Sequence, residues 1–333
     1  MYLTAPRIDE TPAARPASQP DPAFRAEVLR GLAQPQKAIP ARWFYDMRGS
    51  QLFEAITQVP EYYPTRTETA LLQTHCPAVA ERIGTEATVV EFGSGSSIKT
   101  RILLKAMPRA TYVPIDICGE FLDEACAALS ELFPTLRIIP VEANFMEPVR
   151  LPLSRESTDR QMLGFFPGST IGNLTPDAAV DLLRSMRGTL GEGAYLLIGI
   201  DRVKAQERLV SAYDDAGGVT ALFNLNLLQR INRELGGSIP VGEFRHVARW
   251  NPVASRIEMH LEARRAVGFE VDGQSFRMER GETIHTENCH KYRPGEMRVL
   301  LAAAGWHELE HWTDPQGDFS LILAKTDGTR QEP

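Results

Sequence analysis

The sequence predicts an α/β protein: a doubly wound parallel sheet interrupted by an α+β insertion. Three observations predict it. Between Thr88 and Asp201 apolar runs alternate with helical stretches, the rhythm of βαβ units with right-handed crossovers. The first of those runs ends in a Gly/Ser loop, EFGSGSS, that opens a helix. After Asp201 the rhythm breaks into helices, then into period-2 alternation over 244–281, before a helix and a strand return.

Each element follows in order. Residues 1–20, rich in Pro and Ala, read as a loose tail. Asp21 is a candidate N-cap for a helix over Pro22 to Leu32. The stretch ARWFYDMRGSQLFEAITQVPEYYPTRTE brings core aromatics, and Ser50 reads as a helix start. Thr88 to Phe92 is a buried strand, followed by a helix from about Ser97. A second strand, Ala110 to Ile115, leads to Asp116. A helix over Glu120 to Leu132 and a third strand over Arg137 to Glu142 come next. Gly164-Phe165-Phe166 marks the fourth strand, Asp177 to Leu190 a helix, and AYLLIGID a strand ending at Asp201. Residues 202–240 read as helical and 244–281 as hairpins or an antiparallel sheet. A helix over Pro294 to Ala304 and a strand over Asp318 to Ala324 close the chain. The segment up to about Thr65 is expected to pack with the insertion. That gives one domain from 21–65 plus 201–290, and a second from 66–200 plus 291–327.

Composition bounds the function. The chain has 333 residues, 43% hydrophobic and 24% charged, which argues for an ordered protein of about two domains, or one large domain with an insertion. With 36 Lys+Arg against 43 Asp+Glu, the net charge of −7 argues against a general nucleic-acid binder. No apolar run is long enough for a transmembrane helix, and Met1 to Arg25 has no apolar core of a signal peptide. Cys76, Cys118, Cys126 and Cys289 form no paired framework, which fits a reducing, cytoplasmic setting. Cys289-His290 lies near His285, but no CxxC or HxxxH accompanies them, so no metal is expected.

Two motifs carry the chemistry. Glu91-Phe92-Gly93-Ser94-Gly95-Ser96 puts small residues where a ligand can approach the backbone above the sheet. The third glycine of GxGxxG is missing, with Ile98 in its place. Asp116, ending the next strand, can accept from two ribose hydroxyls. The pair fits an adenosine ligand, a dinucleotide or S-adenosylmethionine. The Ser/Gly form and Glu91 favour the latter, which has no pyrophosphate to seat on a helix N-terminus. A plain strand–helix turn is the structural alternative. Phe145, after Asn144, can cover an adenine or simply fill a strand end. The second motif, GSTIGNLTP over 168–176, follows the fourth strand. Asn173 there offers a donor and an acceptor, suited to an amine and a carboxylate on one small substrate. Its alternative is a turn residue, with Thr175 capping a helix before Pro176.

WFYDMRGSQLFEAITQVPEYYPTRTE, EFGSGSSIKTRILL, GSTIGNLTP, AYDDAGGVTALFNLNLLQRINREL, SRIEMHL, ETIHTENCHKY and WTDPQGDFSLILA together carry a resemblance. On them the chain resembles the S-adenosylmethionine-dependent L-histidine Nα-methyltransferases of ergothioneine biosynthesis, over about residues 25–325. The resemblance implies a Rossmann-like class I methyltransferase sheet with an inserted α+β substrate-binding domain. It implies that Gly93, Lys99, Asp116, Asn144 and Phe145 contact S-adenosylmethionine. It places Tyr45 near the substrate amine, Tyr62 and Asn173 on the amine and carboxylate, and Tyr213 on the carboxylate. Tyr45 and Asn173 are the implied catalytic pair. Glu287 and Cys289 match the positions that read the imidazole, and Met259 lines that pocket. Two residues depart from the family: Cys289 replaces a usual Ser, and Asn144 a common Asp. A thiol is larger and a weaker hydrogen-bonding group, so Cys289 bears on substrate choice.

The implied reaction is methylation of the α-amine of L-histidine, three times, to hercynine. The implied setting is a cytoplasmic monomer with a small-molecule substrate and neither nucleic acid nor membrane as partner. Another aromatic amino acid, or a histidine derivative, is the alternative substrate. A non-catalytic binding module is the alternative outside enzymes, and Gly93, Asp116, Asn173 and Tyr213 argue against it. An NAD-dependent dehydrogenase is disfavoured by the missing glycine. Without the family, Glu287 reads as a surface strand residue and Tyr213 as a core position on an amphipathic helix. His285 and His290 read as solvated or structural, and Trp306 and Trp312 as core.

Overall fold

The computed structural model describes residues 21–95, 98–117, 119–153 and 160–327. The expected tail over 1–20, the helix start at Ser97 and Cys118 lie outside the described residues. Helix α1 (Pro22–Leu32) is capped by Asp21, whose carboxylate accepts the Ala23 N–H at 2.7 Å. A short strand β1 (Lys37–Ala38) and a 3-10 turn (Ala41–Phe44) lead to α2 (Met47–Gln58). The cap of α2 is Asp46 and not Ser50. Asp46 has extended backbone and accepts the Gly49 N–H at 2.7 Å, while the Ser50 N–H already makes a helical bond to Asp46 O. Helix α3 (Tyr63–Ile83) was not among the expected elements. Thr, Gln and His, together with Pro77, interrupt its apolar stripe and blur the helical period. Burial of Leu71, Leu72, Cys76 and Val79 in the core fixes it instead.

The large sheet then builds up. Strands β2 (Thr88–Phe92), β3 (Thr111–Asp116), β4 (Arg137–Ile138), β5 (Val141–Glu142), β6 (Met162–Phe166) and β7 (Tyr195–Asp201) pair in parallel. Helices α4 (Ile98–Ala106), α5 (Gly119–Leu132) and α6 (Pro176–Leu190) alternate with them. The single third strand expected over 137–142 is split into β4 and β5, because Pro140 between them has no N–H for the ladder.

The insertion follows β7 with α7 (Gln206–Ser211) and α8 (Val219–Leu235). Strands β8 (Phe244–Asn251), β9 (Arg256–Ala263), β10 (Val267–Val271), β11 (Gln274–Met278) and β12 (Thr283–His290) come next. The second sheet has the order β1-β12-β9-β8, with β10 and β11 a separate hairpin. The chain returns through α9 (Glu296–Ala303), β13 (Trp306–Thr313) and β14 (Phe319–Thr326). The large sheet reads β13-β14-β7-β6-β2-β3-β4, with β14 antiparallel to β7. This is the doubly wound parallel sheet expected, closed by an antiparallel edge and interrupted by an α+β insertion. Strand β13 was unexpected: WHELEHWT alternates buried and open positions. Trp306 is core, as read, but Trp312 is only partly buried and stacks on His75 at 4.7 Å.

Apolar residues gather in three clusters. One joins α1, α2 and α8 to the inner face of the second sheet, and the other two cover the faces of the large sheet. The chain leaves the large sheet after Asp201 and returns at Lys291. The two crossings are stitched by Tyr292 N–H to Asp201 O at 3.0 Å and Val203 N–H to Tyr292 O at 3.1 Å. Among the described residues, no helix is long and apolar enough to cross a membrane.

Candidate active site

The first motif forms an open cradle at the carboxyl end of β2. Gly93 and Gly95 have φ of +77° and +47°, a region that L side chains rarely adopt. A Cβ on Gly93 would meet only the Phe145 ring at 3.5 Å, and one on Gly95 would meet nothing within 4 Å. The Gly95 N–H reaches the Asp116 carboxylate at 3.4 Å. Asn144 accepts the Met146 N–H at 3.1 Å, a local turn that presents Phe145. The Phe145 ring is set edge-on by Phe92 and Phe166. Glycine backbone under one aromatic face, with a carboxylate at the end of the next strand, fits the adenosine of S-adenosylmethionine. Glu91 points the other way. It is buried beneath the loop, accepting from Thr100 at 2.6 Å and from Tyr112, and burial pushes it up to about 8.

Lys99 joins the two motifs. Its ammonium meets Glu68 at 2.5 Å, and that fully buried carboxylate also accepts the Gly168 N–H at 2.9 Å. Gly199 on β7 makes room, since a Cβ there would sit 1.9 Å from Glu68 Oε1. Nothing in the sequence singles out Glu68, a lone acid in a helix whose apolar period is blurred.

The second motif brings Asn173 to the insertion. After Gly168 and Ser169, both at positive φ, a 3-10 turn (Thr170–Asn173) packs on the end of β12. Gly172 has no room for a side chain, because a Cβ would lie 2.7 Å from His290 O. Asn173 therefore reaches Glu287, donating from Nδ2 to Oε1 at 3.2 Å. A β-bulge between His285 and Glu287 aims that carboxylate. Ile284 faces the core; strict alternation would send Glu287 outward, and the extra residue turns it back beside Met259, its register partner. Cys289, two residues on, shares that face. Glu287 is thus half-buried and turned into the pocket rather than out on a surface strand.

The tyrosines close the site. Tyr45 sits between the 3-10 turn and the Asp46 cap, which Asn226 and Arg233 of α8 hold at 2.9 and 2.6 Å. Its ring packs on Phe53 and Phe223. Burial first, then the carboxylate of Glu287, holds its phenol well above the ordinary value, with Tyr62, Cys289 and Asp116 adding to it. Tyr62 lies edge-on to Tyr213 at 6.1 Å. Tyr213 lies in a turn after α7, not on a helix. His246 holds its carbonyl at 2.7 Å, and its hydroxyl donates to Cys289 Sγ at 2.9 Å. Burial raises both the Tyr213 phenol and the Cys289 thiol. Burial pushes Glu287 up to about 7, with Lys291 and Asn173 pulling the other way. Tyr45, Tyr62, Asn173, Tyr213, Met259, Glu287 and Cys289 thus converge at one end. Gly93, Asp116, Asn144 and Phe145 gather at the other, with Lys99 bridging through Glu68. Sequence reasoning missed Glu68, Tyr63, Asp201, Lys204 and Lys291, which support these residues from behind.

One metal-capable trio occurs among the described residues: Glu258, His260 and His285, on the outer face of the second sheet. The His260 and His285 rings stack at 4.7 Å with planes 18° apart. Their in-plane lone pairs therefore do not converge on one ion at a bond length of about 2.0–2.1 Å. Arg256 already occupies the Glu258 carboxylate at 2.7 Å.

The chain is similar over nearly its whole length to known proteins. It is 43% identical over 309 residues to the histidine N-alpha-methyltransferase of Mycolicibacterium smegmatis, covering 91% of this chain and 94% of that protein. It is 42% identical over 308 residues to the protein of the same name from Mycobacterium tuberculosis, with the same coverage of 91% and 94%. It is 27% identical over 308 residues to ergothioneine biosynthesis protein 1 of Neurospora crassa, covering 87% of this chain and 33% of that protein. The family described as histidine-specific, SAM-dependent methyltransferases matches residues 24–326, and this chain belongs to that family.

Proposed function

We propose that the protein methylates the α-amine of L-histidine with S-adenosylmethionine, three times, yielding hercynine for ergothioneine biosynthesis. The observation that carries this reading is the half-buried Glu287, turned into the pocket and held by Asn173 beside Met259. An apolar side chain offers that carboxylate no donor beyond Asn173, whereas an imidazole N–H adds one. The charge-assisted bond is worth about 1.5–3 kcal/mol. The relatives named histidine N-alpha-methyltransferase support the same substrate.

Labour divides between two domains. Residues 66–200 with 291–327 bind the cofactor through Gly93, Lys99, Asp116, Asn144 and Phe145. Residues 21–65 with 201–290 bind the amino acid, and the separate apolar cluster of that unit supports the division. S-adenosylmethionine, when bound, supplies a sulfonium-activated methyl group to an amine lone pair. The protein's task is placement, which can contribute about 7–11 kcal/mol. Tyr62 and Tyr213 hold the carboxylate, and Glu287 and Cys289 hold the imidazole. Tyr45 and Asn173 orient the amine between them. The Tyr45 phenol stays protonated, so it directs an amine hydrogen and does not act as a base; the proton leaves to water. An α-nitrogen bonded to Cα and three methyl groups is quaternary and has no lone pair, so transfer ends at three.

A time course of purified protein with S-adenosylmethionine and histidine, read by mass spectrometry, tests this. Mono-, di- and then trimethylated histidine is expected, the last accumulating. An end point at one or two methyl groups contradicts trimethylation. Unmodified histidine contradicts the substrate.

A further inference from the structure

Lys291 is fully buried where the chain leaves the second sheet. Its ammonium has three protons and three acceptors: Asp201 Oδ2 at 2.8 Å, the Tyr213 hydroxyl at 2.8 Å and Cys289 Sγ at 3.1 Å. Burial pulls the ammonium toward neutrality, and the Asp201 carboxylate beside it leads the interactions that more than reverse that. Asp201 is also shared by Tyr63, at 2.8 Å, and by Lys204. It therefore keeps a cationic partner when Lys291 is replaced.

We propose that Lys291 is a positioning residue for the amino-acid carboxylate: it donates to the Tyr213 oxygen and so leaves the Tyr213 O–H as the carboxylate's donor. The proposal rests on reading Tyr213 as a carboxylate ligand. A phenol whose oxygen accepts from a cation is a stronger donor through its O–H. In the substrate-free protein that O–H is spent on Cys289 Sγ, a weak acceptor that a carboxylate oxygen displaces readily. One ammonium thus touches a residue at each end of the amino acid, Tyr213 and Cys289. It is itself anchored on the strand end from which the insertion departs.

Lys291→Met is compared with wild type for histidine KM, kcat and S-adenosylmethionine affinity, alone and in a Tyr213→Phe background. The substitution is expected to raise histidine KM about 10- to 100-fold, with cofactor affinity within about twofold. In the Tyr213→Phe background it should add less than about threefold, because the partner it acts through is gone. An unchanged KM, or losses that multiply independently, overturns the proposal. A normal histidine KM in Tyr213→Phe alone overturns the assignment of Tyr213 beneath it and leaves the imidazole site standing. Lys291→Arg keeps the charge and the Asp201 pair, and it serves if the Met variant does not fold. It should weaken histidine by a larger factor than histamine, which lacks a carboxylate; equal losses for both ligands overturn the proposal.

Discussion

Glu287 sets the chemistry at the scale of single residues. Burial lifts its carboxyl from 4.5 to about 7. A raised acid in the folded state holds a proton that the unfolded chain has released between those values. Stability is therefore present below about pH 4.5 and lost as pH rises to about 7. Replacing it with the neutral isostere removes the loss. Glu287→Gln is expected to be more stable than wild type above pH 7 by about 3–4 kcal/mol. The advantage disappears at pH 4. Urea unfolding at pH 4 and pH 8 checks this, and a difference independent of pH contradicts it. The same variant should lose at least about tenfold in kcat/KM for histidine. Asn173 stood out in the sequence because it lies in a close-approach loop, whereas Glu287 and Cys289 were reached only through the resemblance that ETIHTENCHKY helps to carry. Glu68, Asp201 and Lys291 were not, since each acquires its role from a partner far away in the chain.

Among the elements, the bulge in β12 and the turn packed against it decide where Glu287 points. No alternation pattern reveals a bulge, so the sequence left Glu287 and His285 on one face. Gly172 is the corresponding fixed point on the other side. Its Cβ would meet backbone, His290 O at 2.7 Å, which cannot swing aside. Gly172→Ala is expected to cost about 1–3 kcal/mol of stability by overpacking. It should also cut kcat/KM for histidine at least about tenfold, because Asn173 withdraws from Glu287. Thermal unfolding and steady-state kinetics measure both, and a wild-type kcat/KM contradicts the role of the turn. The parallel strands were legible because their apolar runs are bounded by turn residues. Helix α3 and strand β13 were not, because half-exposed patterns carry little contrast. The cap at Asp46 was displaced to Ser50 for a similar reason, since both residues are good caps.

The whole molecule depends on how the insertion is fastened to the sheet. Asp201 ends β7 and gathers Tyr63, Lys204 and Lys291 at the two crossings. Burial opposes its ionisation, but the two lysines outweigh burial and hold the carboxylate below its usual value. Asp201→Asn leaves both ammonium groups without their anion. A loss of about 3–5 kcal/mol is expected in denaturant unfolding. A loss under about 1 kcal/mol would mean that the clasp is not what joins the two units.

Substrate choice tests the central claim most directly, because Glu287 and Cys289 are assigned to the imidazole. Purified protein is incubated with S-adenosylmethionine and the twenty amino acids in competition, and all products are weighed by mass spectrometry. Histidine alone should gain methyl groups, with Cys289 a tolerated substitution in its pocket. Methylation of another amino acid in preference to histidine, or no product despite cofactor binding, would contradict the account.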